Sequence, residues 1–435
     1  MKIIKIKNSH RWAIEVLFAS FMFLIFVKYG LNLNVPSILL IGICLLISSL
    51  GDNNEIMALC ICFIPLYTTL DYLYVLLYSI VILLIKNRRN FKIGLPFLFV
   101  IAICFWELLH GIDGSFSIKV YIGSMVPYVF IAVINSCFES DLNYSYIGIK
   151  YVHMLIIVSL NLLLRTIDLF NGNGLLAIRQ IGRLGNIGET SQIIEGQINP
   201  NSLGVMCALG IVILLQKFFY IEKSKSSIIY VSILFVIALL TLSRTFALLT
   251  LVILILFLID NKMKIRTKIK FISLIFIALL ICLIIIVKVF PDTLKQFVER
   301  WLEEDLSNGR MDIMFESIKC ILSNPNILLF GIGLQGYSSK VLQYVSMAPH
   351  DAITELIMIW GLLGLFLIIS LFVSIIYNAK KRNCNLELIN LIPLIIILVK
   401  ALLGHLVTSG YTILTLSLVC LSIKYNFIKN ATKRI

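Results

Sequence analysis

Apolar runs long enough to cross a membrane recur along nearly the whole chain, separated by short polar gaps. Backbone N–H and C=O groups in hydrocarbon have no water to bond, so such runs are predicted to be helices. The pattern predicts spans over residues 12–28, 35–51, 55–67, 70–86, 95–110, 120–137, 146–164, 201–216, 227–242, 245–260, 271–289, 352–377, 386–402 and 408–424. Spans 55–67 and 70–86 are short and separated only by Thr68-Thr69, so one bent helix with a broken partner is the alternative there. The first run follows a basic start, as in a secretory leader. It is long for a leader and no small-residue cleavage site follows, so it is expected to stay as the first helix. The predicted fold class is an all-α integral membrane protein, a polytopic bundle of about 14 transmembrane helices, with about 11 as the lower bound.

Three polar interruptions face one side in this scheme. Residues 165–200 are polar and rich in glycine, a tight turn falls near Ser243-Arg244, and residues 291–350 form a long loop. The expected organisation is an N-terminal transmembrane bundle (1–290, with external loop 165–200), a large extracytoplasmic loop (291–350) and C-terminal transmembrane helices (351–435). Inside the long loop, Met311, Met314, Phe315, Ile318, Ile321 and Leu322 recur at helical spacing, and Asn324-Pro325 ends the pattern. That amphipathic helix is expected to lie on the membrane surface or cap the bundle. Arg310 stands at its N-terminal end, where the helix dipole disfavours a cation, so it is expected to face an anion.

Composition changes the picture mainly by exclusion. With 60% hydrophobic residues and a mean hydropathy of +0.99, no soluble domain of ordinary size is left over. The net charge of +14 would suit nucleic acid, but its distribution does not. The basic residues gather in short gaps around Lys5, Arg88, Lys150, Lys223, Arg266, Lys381 and Lys429, which together hold 24 of the 37 Lys and Arg. Every such gap falls on the same side of the predicted bundle. This is the positive-inside pattern; it places both termini in the cytoplasm and makes nucleic acid no partner. The ten cysteines lie mostly inside apolar runs, and Cys320 alone sits in the long loop, so no external disulfide is implied.

Candidate chemistry is confined to the polar interruptions. Gly331-Ile332-Gly333-Leu334-Gln335-Gly336 spells G-x-G-x-x-G, but the dinucleotide motif needs a preceding strand, a following helix and a downstream acid. A turn returning the chain to the membrane is the expected role. Arg244 sits at an outer helix edge, against the orientation bias, which suits a guanidinium for phosphate at the bilayer surface better than a snorkelling side chain. Arg179 and Arg183 in the first loop read singly as solvated charges; with Arg244 and Arg310 they make an outward anion site. Asn201 is expected to cap the following helix. His350, the only histidine of the long loop, precedes Asp351 at a helix start; a neutral imidazole there is the leading general base. Asp351 and Glu355 are near it, yet no second histidine stands at metal-ligand spacing, so no metal is expected. His405, Lys400 and His110 are lower-ranked candidates near outer helix ends.

From Arg183 to Gly364 the chain resembles the O-antigen ligase and Wzy-type polysaccharide polymerase superfamily. The resemblance rests on Arg183-Leu184-Gly185-Asn186 with Asn199-Pro200-Asn201, on Leu242-Ser243-Arg244, and on Gly309-Arg310. It continues through Gly331-Ile332-Gly333, Pro349-His350-Asp351 and Trp360-Gly361-Leu362-Leu363-Gly364. The chain departs from that pattern at Asp351, where the family often has Asn, and at Phe315, where it has Trp. The resemblance implies a bundle like that of GT-C-type glycosyltransferases, in the bacterial cytoplasmic membrane. It also implies metal-independent, inverting glycosyltransfer without cofactor, from an undecaprenyl-diphosphate-linked oligosaccharide on the outer face. By carry-over, Arg183, Arg244 and Arg310 hold the diphosphate, with Arg179, Asn201 and Asp351 as further substrate contacts, and His350 takes or orients the attacking hydroxyl. The expected function is repeat-unit polymerisation for O-antigen, capsule or exopolysaccharide, among membrane lipids, with a flippase and a chain-length regulator as partners. The alternatives are ligase-like transfer of finished glycan to another acceptor, and a lipid-linked oligosaccharide flippase or transporter. The lack of internal repeats speaks against transport.

Overall fold

The computed structural model describes residues 2–67, 73–111, 116–138, 142–169, 198–260, scattered positions between 265 and 288, 309–381, 386–408 and 410–425. Every regular element among them is helical. In chain order, α1 is Lys2–Ile25, α2 Ser37–Leu50, α3 Asn53–Cys62, α4 Leu73–Lys86, α5 Leu95–His110 and α6 Ile118–Cys137. Next come α7 (Tyr144–Leu169), α8 (Pro200–Gln216), α9 (Lys225–Leu240) and α10 (Arg244–Ile259). After these follow α11 (Arg310–Ser323), α12 (Pro325–Leu329), α13 (Tyr337–Lys340), α14 (Ala352–Lys381), α15 (Leu388–Leu402) and α16 (Gly410–Lys424).

Among the described residues, five helices are long and apolar enough to cross a membrane, and seven shorter apolar helices accompany them. They fall where the hydropathy pattern put spans. Predicted span 55–67 is different. There α3 stops at Cys62 and turns follow to Tyr67, so the helix is about 15 Å long by the α-helical rise, too short to cross alone. Its residues from Ile56 to Cys62 are fully buried, which explains an apolar run that never meets lipid. Asp52 starts it with a capping box, accepting from Asn54 N and Glu55 N while Glu55 accepts from Asp52 N at 2.7 Å. Most of span 271–289 lies outside the described residues.

The helices form two compact units. The first holds Met1–Ile82, Asn143–Glu303 and Phe427–Ile435. Its centre is α8, buried along nearly all its length, as a helix apolar on every side must be. Small residues set the approach of its neighbours: a Cβ on Gly210 would lie 2.7 Å from Leu234 Cδ1, and one on Gly148 2.3 Å from Ile213 Cγ2. Lys150, expected in a solvated basic gap, instead pairs inside this unit with Glu15 at 2.5 Å.

The second unit holds Leu83–Leu142 and Glu304–Asn426. The buried helix here is α16, packed on α6 and α15, while α5 packs along α14. Lys424 closes the end of α6 by donating to Ile134 O (2.6 Å) and Phe138 O (2.9 Å), carbonyls that the helix itself leaves unpaired. Helices α5 and α6 thus share a unit with the C-terminal helices, across the sequence boundary expected near residue 290.

Candidate active site

The second unit is built around a broken helix. Asp351 caps α14, its carboxylate accepting from Ile353 N (3.1 Å) and Thr354 N (2.9 Å) and from the Thr354 hydroxyl. At Gly361 the backbone takes φ 67°, ψ −170°, and α14 parts into 352–360 and 362–381. The carbonyls at the end of the first segment then need outside donors. Ile332 N donates to Met358 O (2.9 Å), Gly333 N to Ile359 O (2.8 Å) and Trp106 Nε1 to Trp360 O (3.1 Å). The two backbones touch: a Cβ on Gly331 would lie 2.3 Å from Ile359 O, and one on Gly361 2.2 Å from Leu329 O.

The G-x-G-x-x-G stretch is therefore a turn, as the missing strand implied, and α12 precedes it. Its backbone amides do hold an anion, but one from the chain itself. Leu334 N (3.1 Å), Gln335 N (3.2 Å) and Trp360 Nε1 (2.6 Å) all donate to the carboxylate of Glu107 on α5, which is fully buried. Trp360 is likewise fully buried.

Beyond the break, residues 403–408 link α15 to α16 without helix and are clamped by charged groups. Arg310 Nη1 donates to Leu403 O at 2.9 Å. Lys400 Nζ donates to His405 O and to Thr412 Oγ1, the latter at 2.9 Å. Glu355, on the first turn of α14, has no exposed side-chain surface. Its carboxylate accepts from Leu406 N (2.6 Å), Val407 N (3.0 Å), Thr408 N (3.2 Å) and the Thr408 hydroxyl, and meets His405 Nδ1 at 3.2 Å. A carboxylate buried this deeply needs such a set of donors to offset its lost hydration.

The clamped link presents His405 to His350, with ring centroids 4.7 Å apart. His350 is half-buried and lies just before the cap of α14. Burial, first, and then the charges of His405 and Arg310 push its pKa below the ordinary imidazole value; Glu355 and Asp351 pull weakly the other way. The segment leading to it is tied to α11, where Glu316 accepts from Ser346 N (2.9 Å) and the Ser346 hydroxyl. Those bonds hold the Glu316 carboxyl below its usual range.

Of the residues singled out in the sequence, Arg310, His350 and Asp351 share this unit with the lower-ranked His405 and Lys400. Arg310 was expected to face an anion; one of its N–H groups serves the Leu403 carbonyl instead, and its charge reaches His350. Asp351, expected at the substrate, has the cap of α14 as its structural duty, because both its oxygens accept from the first turn.

Arg244 and Asn201 belong to the first unit. Arg244 opens α10 after Ser243, whose Oγ accepts from Phe246 N at 3.2 Å. The turn before it requires a left-handed Leu242 (φ 49°), a conformation that costs a non-glycine residue about 1 kcal/mol or more. Gly204 lets α8 approach this turn: its Cβ would lie 3.1 Å from Ser243 Cβ. The expected cap at Asn201 moves to Asn199, whose Oδ1 accepts from Asn201 N at 2.9 Å, because Pro200 takes the first helical position. Arg179 and Arg183 lie outside the described residues.

Residues 229–369 match the family model described as O-antigen ligase. That stretch resembles an O-antigen ligase domain. No curated protein matches the chain. The domain runs from α9 through Arg244, Arg310, the glycine turn and His350 into α14, so it contains most of the motifs on which the resemblance rested. With the apolar helices, it supports a membrane protein of glycan ligase or polymerase type. Glu107 and His405 fall outside the matched residues. Among the described residues no cluster of three or more His, Cys, Asp and Glu side chains is placed to hold a metal ion.

Sequence reasoning missed Glu107 and weighed Glu355 only as a metal ligand. A signal existed for Glu107: it is a carboxylate inside an apolar helix, and ionisable residues within membrane segments mark paired or functional positions.

Proposed function

We propose that the chain is a polysaccharide polymerase of the bacterial cytoplasmic membrane, moving glycan from undecaprenyl diphosphate to a sugar hydroxyl of a lipid-linked repeat unit on the outer face. The observation that carries this reading is the half-buried His350, biased toward the neutral ring and set beside the fixed charge of Arg310 within an O-antigen ligase domain. A neutral ring can accept the hydroxyl proton as the oxygen attacks the anomeric carbon; the bond from that carbon to the diphosphate oxygen breaks, and the diphosphate leaves as an anion. Inversion follows from a single displacement. Arg310, with Arg244 and Arg183, is assigned to the charge that develops on the diphosphate, where preorganised donors act most strongly. Arg179 and Asn201 are assigned to further contacts with diphosphate or glycan. Asp351 is assigned to holding His350 at the helix start.

The test is the length distribution of surface polysaccharide in cells carrying His350→Ala at unchanged protein level. Loss of long glycan with single lipid-linked repeats accumulating on the outer face is expected. Repeats trapped on the cytoplasmic face would make the chain a flippase, and unchanged chain lengths would remove His350 from the reaction. A ligase differs only in its acceptor: supplied with lipid-linked repeats alone, it would leave them unextended, whereas a polymerase lengthens them.

A further inference from the structure

His350 faces a second imidazole whose orientation is set by a buried carboxylate. Both oxygens of Glu355 are engaged by the chain segment 405–408, and the bond to His405 leaves only one hydrogen-bonding arrangement. A carboxylate accepts, so Nδ1 of His405 carries a proton directed at Glu355. The link is tied down on several sides: Arg310 holds Leu403, Lys400 holds the His405 carbonyl, and Glu355 holds three successive amides. The ring of His405 stands 4.7 Å from that of His350, and its side chain is 30% exposed.

We propose that Glu355 and His405 form a carboxylate–imidazole pair that positions and tunes His350 for proton transfer. The inference rests on the reading above that His350 takes the hydroxyl proton. In this arrangement His350 is the catalytic residue, and His405 and Glu355 are positioning residues. His405 fills one side of His350 and fixes its ring, while Glu355 fixes the tautomer and place of His405. Among the described residues, the charged or titratable groups that act on His350 are Arg310 from α11, His405 from the link, and Asp351 and Glu355 from α14. The first two disfavour a proton on it and the last two favour it.

The experiment uses the full-length chain in lipid vesicles, with lipid-linked repeat units from the producing cells as donor and acceptor. Turnover is measured against pH for the unmodified chain, His405→Asn and His405→Gln. Asparagine keeps an N–H near the position of Nδ1, so the bond to Glu355 and the fold of the link should survive; glutamine is the second variant should asparagine fail to accumulate. Loss of His405 removes a positive influence from His350, so the acid limb of the rate profile is expected to move to higher pH. The maximal rate should fall on the order of tenfold, less than the roughly hundredfold or more that the general base itself contributes. A uniform loss of rate with the acid limb unmoved would reduce His405 to a structural part and overturn the pairing, as would an unchanged profile. His350→Ala, assayed alongside, separates the two failures. If it is inactive while the His405 variants behave as the unmodified chain, only the pairing is wrong; if it retains turnover, the reading of the whole site is wrong.

Discussion

A histidine that must accept a proton has to be neutral first, and the surroundings of His350 favour that form. Its pKa lies below the ordinary value of about 6.5 because burial, His405 and Arg310 all oppose the charged ring. The sign follows directly: the ring stays competent as pH falls past about 6.5, and turnover declines only as pH drops through the lowered pKa. Polymerisation in vesicles at pH 6.5 is therefore expected to run at more than half its plateau rate. An acid limb centred above that pH would contradict the assignment. Asp351 supports a separate prediction. Asp351→Asn keeps a cap acceptor and should leave glycan length unchanged, whereas Asp351→Ala should cost about 1 kcal/mol of stability, the usual worth of a helix cap. Thermal unfolding and glycan length together decide it: loss of glycan in the stable Asn variant would return Asp351 to the substrate.

The glycine turn and the break in α14 are one device, since each supplies what the other lacks. The turn brings amides to the carbonyls freed at the break, and Glu107 takes two further amides of the turn together with the Trp360 indole. Glu107→Ala leaves three buried or part-buried donors without their acceptor, each worth about 1–3 kcal/mol where fully buried. The variant is expected to lose the folded second unit and fail to accumulate in membranes, while Glu107→Gln, which keeps an acceptor oxygen, should fold with reduced stability. Equal accumulation of unmodified chain and Glu107→Ala would show that the latch is not needed. Gly361→Ala should behave like Glu107→Ala, because its Cβ would sit 2.2 Å from the Leu329 carbonyl at a positive φ. The helices of this region were legible in the sequence, because runs such as 95–110 and 352–377 carry their own hydropathy signal. The break was not, because it depends on a close approach between Gly331 and Gly361, thirty positions apart, that no local pattern encodes. The same limit applied to the site. His350 and Arg310 stood out as polar residues in a polar loop, but the pairing of His350 with His405 is made by Glu355 acting across the fold.

The break also bears on where the site lies across the membrane. Residues 362–381 make a helix of about 30 Å at the α-helical rise, which matches the hydrocarbon thickness without any contribution from 352–360. Under the proposed orientation, with Lys380 and Lys381 at the cytoplasmic surface, Gly361 would fall near the outer boundary of the hydrocarbon, and Glu355 and His350 beyond it. That depth suits chemistry on a diphosphate whose lipid is in the outer leaflet, because charged groups there keep access to water and lipid headgroups. Single cysteines in a chain cleared of its native ones would test the placement with a membrane-impermeant thiol reagent applied to intact cells. Ser346→Cys, near the site, is expected to be labelled, whereas Lys381→Cys should react only after the membrane is opened. Labelling of Lys381→Cys from outside, with Ser346→Cys protected, would put the histidine pair in the cytoplasm. It would also transfer the donor to the inner leaflet, and the polymerase reading would fall with it.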